Sequence, residues 1–130
     1  MPRLPIHKDA EQDLRSLRMS QPKIWGRLMA LLEEIAASAR LMDMLTVHGF
    51  GSDEREPFGV SRWQEYWREG MDLWRLKFWE LEHQGLPYRV IYALKRGTGE
   101  HHVLAITSRD FNYDPDHPTT RRILQAYEDL

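Results

Sequence analysis

The chain has no cysteine, so disulfides, thiolate metal sites and a cysteine nucleophile are excluded. It has no basic surplus either. Its 18 Lys and Arg face 20 Asp and Glu, a formal net charge of −2. The deficit is not confined to one half: residues 1–70 hold ten basic against eleven acidic side chains, and residues 71–130 eight against nine. Proteins that bind nucleic acid over a broad face usually carry an excess of Lys and Arg. Any cationic site here must therefore come from local arrangement. No apolar run is long enough to span a bilayer, so no membrane partner is expected. Pro2, Pro5 and the charges within Met1–Ala10 do not make a signal sequence, and the expected compartment is the cytoplasm. Repeats, low-complexity stretches and linkers are also lacking. A length of 130 residues then reads as one domain, 1–130.

What is present is enough to build a core, since five Trp and five Tyr supply large side chains. Residues 2–7, with Pro2 and Pro5, suit an extended segment at a sheet edge. From Asp9, a candidate cap, Ala10, Leu14 and Leu17 recur at helical spacing, and this helix is expected to end near Met19. Ser20 and Pro22 open a second helix with Ile24, Leu28, Leu31, Leu32 and Ile35 on one stripe. The short turn between them predicts an antiparallel helical hairpin. Residues 39–70 read as an apolar turn or short helix at Leu41, Met42, Met44, Leu45 and Val47, then loop broken by Gly49, Gly51, Pro57 and Gly59, with a short amphipathic piece at Trp63, Tyr66 and Trp67.

After Met71 the period becomes two. Trp74, Leu76 and Phe78 alternate with Arg75, Lys77 and Trp79, which reads as a half-buried strand. Residues 80–87 are read as the connection, with Gly85 and Pro87 as turn residues, 88–95 as a second strand, 96–100 as a hairpin turn and 102–107 as a third strand. The third strand is apolar on both faces and is expected to be central. Asp116 or Thr119 caps a last helix bearing Ile123, Leu124 and Tyr127. The sum is an α+β domain with helices packed on a small antiparallel sheet.

Three stretches carry a resemblance. They are HKDAEQDLRSL at 7–17, LWRLKF at 73–78 followed by YRVIYAL at 88–94, and VLAITSRDFNYD at 103–114 with the helix after it. In this order they resemble the RelE/ParE superfamily of type II toxin–antitoxin toxins, and its RelE-like branch in particular. The resemblance implies an N-terminal helical hairpin on a three- to four-stranded antiparallel sheet with a C-terminal helix. RelE-like members cleave mRNA in the ribosomal A site, whereas ParE-like members inhibit DNA gyrase. Both are silenced by a cognate antitoxin. The expected partners are thus an antitoxin, the ribosome and its mRNA, with the chain in a homodimer or a toxin–antitoxin hetero-oligomer. A gyrase inhibitor and a non-catalytic partner-binding relative are the alternatives.

Attack of a 2′-hydroxyl on its phosphodiester needs a proton acceptor, stabilisation of the phosphate charge and a proton for the leaving oxygen. Arg75 and Lys77 are two apart on a strand and share a face. Arg89 has the parity to join them, and Arg109 follows the third strand. By pattern alone these are long side chains on a solvated sheet face. The resemblance implies that Arg75, Lys77, Arg89 and Arg109 bind phosphate and stabilise the transition state, a task for which the planar guanidinium fork is suited. It also implies a catalytic or base-stacking aromatic at Tyr113, with Phe111 the competing choice. Trp79, sharing a face with Lys77, and His117, in DPDHP, are the remaining candidate RNA contacts, against plain readings as core and turn residues. Adjacent His101 and His102 point to opposite faces of a strand and make a poor metal pair. No metal or cofactor is expected.

Overall fold

A computed structural model describes residues 4–108 and 111–130. In chain order they form α1 (Lys8–Ser20), α2 (Pro22–Ala36), α3 (Ala39–Met44), β1 (Phe58–Arg62), α4 (Gln64–Trp67), β2 (Leu73–Phe78), α5 (Trp79–His83), β3 (Arg89–Lys95), β4 (Glu100–Thr107) and α6 (Pro118–Glu128). The four strands make one antiparallel sheet in the order β1-β2-β3-β4. The fold is α+β, as the periodicities predicted. No helix among the described residues is long and apolar enough to cross a membrane.

The helix starts differ from expectation in a consistent way. Histidine caps two of them. His7 Nδ1 accepts from the Asp9 N–H at 3.1 Å and starts α1, leaving Asp9 and Glu11 in the first turn, where acidic charge complements the helix dipole. His117 Nδ1 accepts from the Thr119 N–H at 3.0 Å and starts α6, in place of Asp116 or Thr119. Gln21, not Ser20, occupies the cap position of α2 and makes no side-chain cap bond; Pro22 sits in the first turn.

Residues 39–70 are more structured than their glycines suggest. Ser38 Oγ caps α3 through the Leu41 N–H at 3.1 Å. Residues 58–62, expected as loop, pair along their whole length with β2, from Phe58 opposite Phe78 to Arg62 opposite Trp74. The residues expected as a plain turn after β2 begin with the helix α5, so Trp79 starts a helix and does not end a strand. The third predicted strand, β4, is the last of the ladder, not central. Its outer edge is covered all the same. The Val103 N–H donates to Pro5 O and the His7 N–H to Val103 O, both at 2.8 Å, and the Ile106 N–H donates to Asp13 Oδ2 at 3.0 Å. Residues 4–7 thus act as the edge segment that Pro5 allows, and β4 is apolar on both sides because both are packed.

One sheet face carries Phe58, Val60, Trp74, Leu76, Phe78, Val90, Tyr92 and Val103 and packs against α1, α2 and α3. The opposite face carries Leu73, Ile91, Ala93, Leu104 and Ala105 and packs against α6, Trp63 and Tyr66. A bulge opposite Ile91 and Tyr92 lets consecutive Leu104 and Ala105 join the same core. Trp63, Tyr66 and Trp74 are at most 5% exposed, so these aromatics are core and not a stacking platform.

Candidate functional site

The sheet face that packs against α6 also carries an opening, built by strand register. One row across the sheet runs Gly59, Lys77, Arg89, Thr107; the next runs Ser61, Arg75, Ile91, Ala105. Side chains two apart on a strand share a face, so Arg75, Lys77 and Arg89 emerge together where α6 no longer reaches. They line a single opening of about 180 Å³ with Gly59, Ser61 and Tyr113.

Each wall has a local cause. Gly59 contributes bare backbone. A Cβ there would lie 2.8 Å from Cζ2 of Trp79, whose indole lies against it and whose Nε1–H donates to Gly51 O at 2.9 Å. The Lys77 ammonium stands 4.8 Å from the Trp79 ring centre, so the two are neighbours even though Trp79 belongs to α5. The Arg75 Nε–H donates to Ser61 Oγ at 2.9 Å, and its guanidinium lies 4.8 Å from the Tyr113 ring centre. This fixes the plane of the fork between a hydroxyl and a ring.

Tyr113 is held unusually. Its φ of +62° lies in the left-handed region, disfavoured for residues with a Cβ. Turns closed by Asn112 Oδ1 to the Asp114 N–H at 3.0 Å and by Asp114 Oδ1 to the Asp116 N–H at 2.9 Å flank it. Its ring meets Trp63 edge-on at 5.3 Å and Phe111 at 4.6 Å, and its buried hydroxyl has no partner among the described residues. Backbone strain and an unpartnered polar atom at one cavity wall are features that gather at functional sites.

Among the described residues neither Arg75 nor Lys77 has a carboxylate in ion-pair contact. Arg89 does: its Nη1 donates to Glu82 Oε1 of α5. Lys77 and Arg89 are direct cross-strand neighbours, and like charges so placed repel. Glu82 offsets that repulsion. Sequence reasoning missed Glu82, because residues 80–87 read as a turn and a turn has no defined face. It also missed Ser61 and Gly59, which lay in the stretch read as loop.

The other candidates fall elsewhere. Phe111 is 8% exposed and packs in the core, so of the two aromatics Tyr113 is the one at the opening. His117 caps α6 and meets the Phe111 ring at 5.3 Å. With Asp13, Thr107, Ser108 and Arg122 it lines a separate polar opening. Arg109 lies outside the described residues. No group of three or more His, Asp or Glu among the described residues is placed to hold a metal. An apolar groove of about 310 Å³ runs between α1 and α2, floored by Leu14, Trp25 and Met29 and edged by Arg15 and Arg18.

Comparison of the chain with models of known protein families, with curated proteins and with solved structures finds no match.

Proposed function

We propose that this protein is a RelE-like toxin, a metal-independent endoribonuclease that acts on mRNA at the ribosome and is neutralised by a cognate antitoxin. The observation that carries the reading is the convergence of Arg75, Lys77, Arg89 and Tyr113 on one opening, with two of the three cations free of a carboxylate among the described residues. The chemistry follows from that set. The 2′-oxygen of one nucleotide bonds to its own 3′-phosphorus and the bond to the 5′-oxygen breaks, leaving a 2′,3′-cyclic phosphate and a 5′-hydroxyl. The proton lost by the 2′-hydroxyl is matched by one gained at the 5′-oxygen. Charge building on the phosphate oxygens meets guanidinium and ammonium groups in fixed positions, the arrangement that lowers such barriers most. The Tyr113 ring offers a stacking face to a splayed base. The ribosome supplies much of the positioning, so an overall acidic toxin suffices. The groove between α1 and α2 gives the antitoxin an apolar surface rimmed by Arg18 and by the Arg15–Glu11 pair.

Expression without antitoxin is expected to arrest growth, with messages cut inside reading frames. Arg75→Ala and Lys77→Ala are each expected to relieve the arrest by at least ~100-fold in cleavage rate, the usual cost of removing one transition-state donor, with melting curves unchanged. Full toxicity of both variants would falsify this assignment. Inhibition of gyrase supercoiling by the purified protein with mRNA left intact would replace it with the ParE-like alternative.

A further inference from the structure

Arg89 lines the cavity, yet the carboxylate of Glu82 already holds it. The way it is held sets it apart from arginines that tie this fold together. Arg27 grips Glu80 through Nε and Nη2, Arg40 grips Glu56 through Nη1 and Nη2, and Arg122 grips Asp13 through Nη1 and Nη2. Each of these makes a two-pronged contact, Arg27 and Arg122 between two helices and Arg40 between α3 and the loop before β1. Arg96 adds the Gly70 carbonyl to its bond with Asp72. Arg89 gives Glu82 only Nη1. The rest of its fork makes no hydrogen bond among the described residues, and it stands in the row that also carries Lys77.

Both partners remain partly open to solvent, with 25% of the Arg89 side chain and 20% of the Glu82 side chain exposed. Glu82 belongs to a five-residue helix that bridges β2 and β3. Rotation of one side chain frees the fork without moving the sheet. A carboxylate and a phosphate present similar oxygens to a guanidinium, and the phosphodiester also gains from Arg75 and Lys77, which Glu82 does not reach.

We propose that Glu82 is an internal stand-in for the phosphate: it holds Arg89 in the unliganded protein and is displaced when single-stranded RNA enters the opening. This rests on the functional reading above and adds a regulatory step to it. Affinity for RNA is set below what the three cations would give alone. The acidic side chain also discourages free anions too weak to displace it. A phosphodiester that engages Arg75 and Lys77 first is the ligand that recruits Arg89.

The test uses a 2′-O-methyl single-stranded RNA oligonucleotide, which cannot be cut by its own 2′-oxygen. Binding is followed by fluorescence anisotropy over a range of salt. Glu82→Gln is expected to bind about fivefold more tightly than the unaltered protein, the upper end for a part-exposed ion pair. Its salt slope is expected to match that of the unaltered protein, because the same three cations meet phosphate in both complexes. Glu82→Ala is expected to behave alike. In an Arg89→Ala background the gain should vanish, because it acts through that fork. Binding by Glu82→Gln equal to or weaker than the unaltered protein overturns the proposal, as does a gain that persists without Arg89. In either case the functional reading stands so long as Arg75→Ala and Lys77→Ala weaken binding. If those two bind as the unaltered protein does, the cationic opening is not the RNA site and both fall. Melting curves on the same samples separate loss of fold from loss of binding.

Discussion

His101 shows how a single side chain couples folding to pH. It sits on β4 at the level of Leu94, half-buried, and burial holds its imidazole below the ordinary value of 6.5. The charge of His102 pushes the same way, and Asp43 opposes both. The sign follows from which state binds the proton. Between the lowered folded value and 6.5, the unfolded chain is protonated and the folded one is not, so stability rises with pH there. The contribution is fully present above 6.5 and is lost as the pH falls below it. His101→Gln is therefore expected to show a smaller drop in urea midpoint between pH 7.5 and 5.5 than the unaltered protein. An equal drop would place the acid sensitivity on other groups. The catalytic candidates obey a different residue-scale logic. Arg75 and Lys77 are positioned by a hydroxyl and by rings, contacts that orient a cation without neutralising it.

Between elements, the Asp13 carboxylate joins α1 to both the sheet edge and α6. Asp13 on α1 accepts from the Ile106 N–H at the outer edge of β4, and it takes both prongs of Arg122 from α6 at 3.2 and 3.0 Å. Arg122 Nη1 also reaches Asp9 O at 3.1 Å. Asp13→Ala leaves the Ile106 amide without its side-chain acceptor and the Arg122 guanidinium with the Asp9 carbonyl alone. With roughly a quarter of each side chain exposed, water recovers part of the loss, so about 2 kcal/mol is expected by urea unfolding. Faster hydrogen exchange at the Ile106 amide should accompany it; unchanged exchange there would mean that the edge is held by residues 4–7 alone. The same contrast explains which elements were readable from sequence. The long helices α1 and α2, the strands β2 and β3 and the final helix announce themselves by a regular apolar period. Parity allows Arg89 beside Arg75 and Lys77, and the register then pairs it with Lys77. β1 carries no such period: Gly59 inside it is there to make room for an indole from α5, and to a sequence reader it looks like a breaker. Helices as short as α3, α4 and α5 are stabilised by tertiary contact more than by propensity. Histidine caps were passed over because Asp, Ser and Thr are the usual ones.

For the whole molecule, the near balance of charge decides what kind of nucleic-acid affinity is possible. With a net charge of −2 there is no long-range pull toward RNA, and arginines such as Arg27, Arg40 and Arg122 are committed to structural ion pairs. What remains at the candidate site is a short-range focus of Arg75 and Lys77, with Arg89 conditional on Glu82. Counterion release scales with the number of phosphates neutralised, by about 0.7 per contact on a single strand. Arg75 and Lys77, with Arg89 recruited in the complex, then predict a salt slope for single-stranded RNA of about −2.1, with weak affinity when the ribosome is absent. Arg15→Ala and Arg18→Ala, on the other side of the fold in the α1–α2 groove, are expected to leave that slope unchanged. A measured slope steeper than about −4 would require some six phosphates in contact. The opening gathers three cations among the described residues, so such a value would relocate the RNA interface away from it.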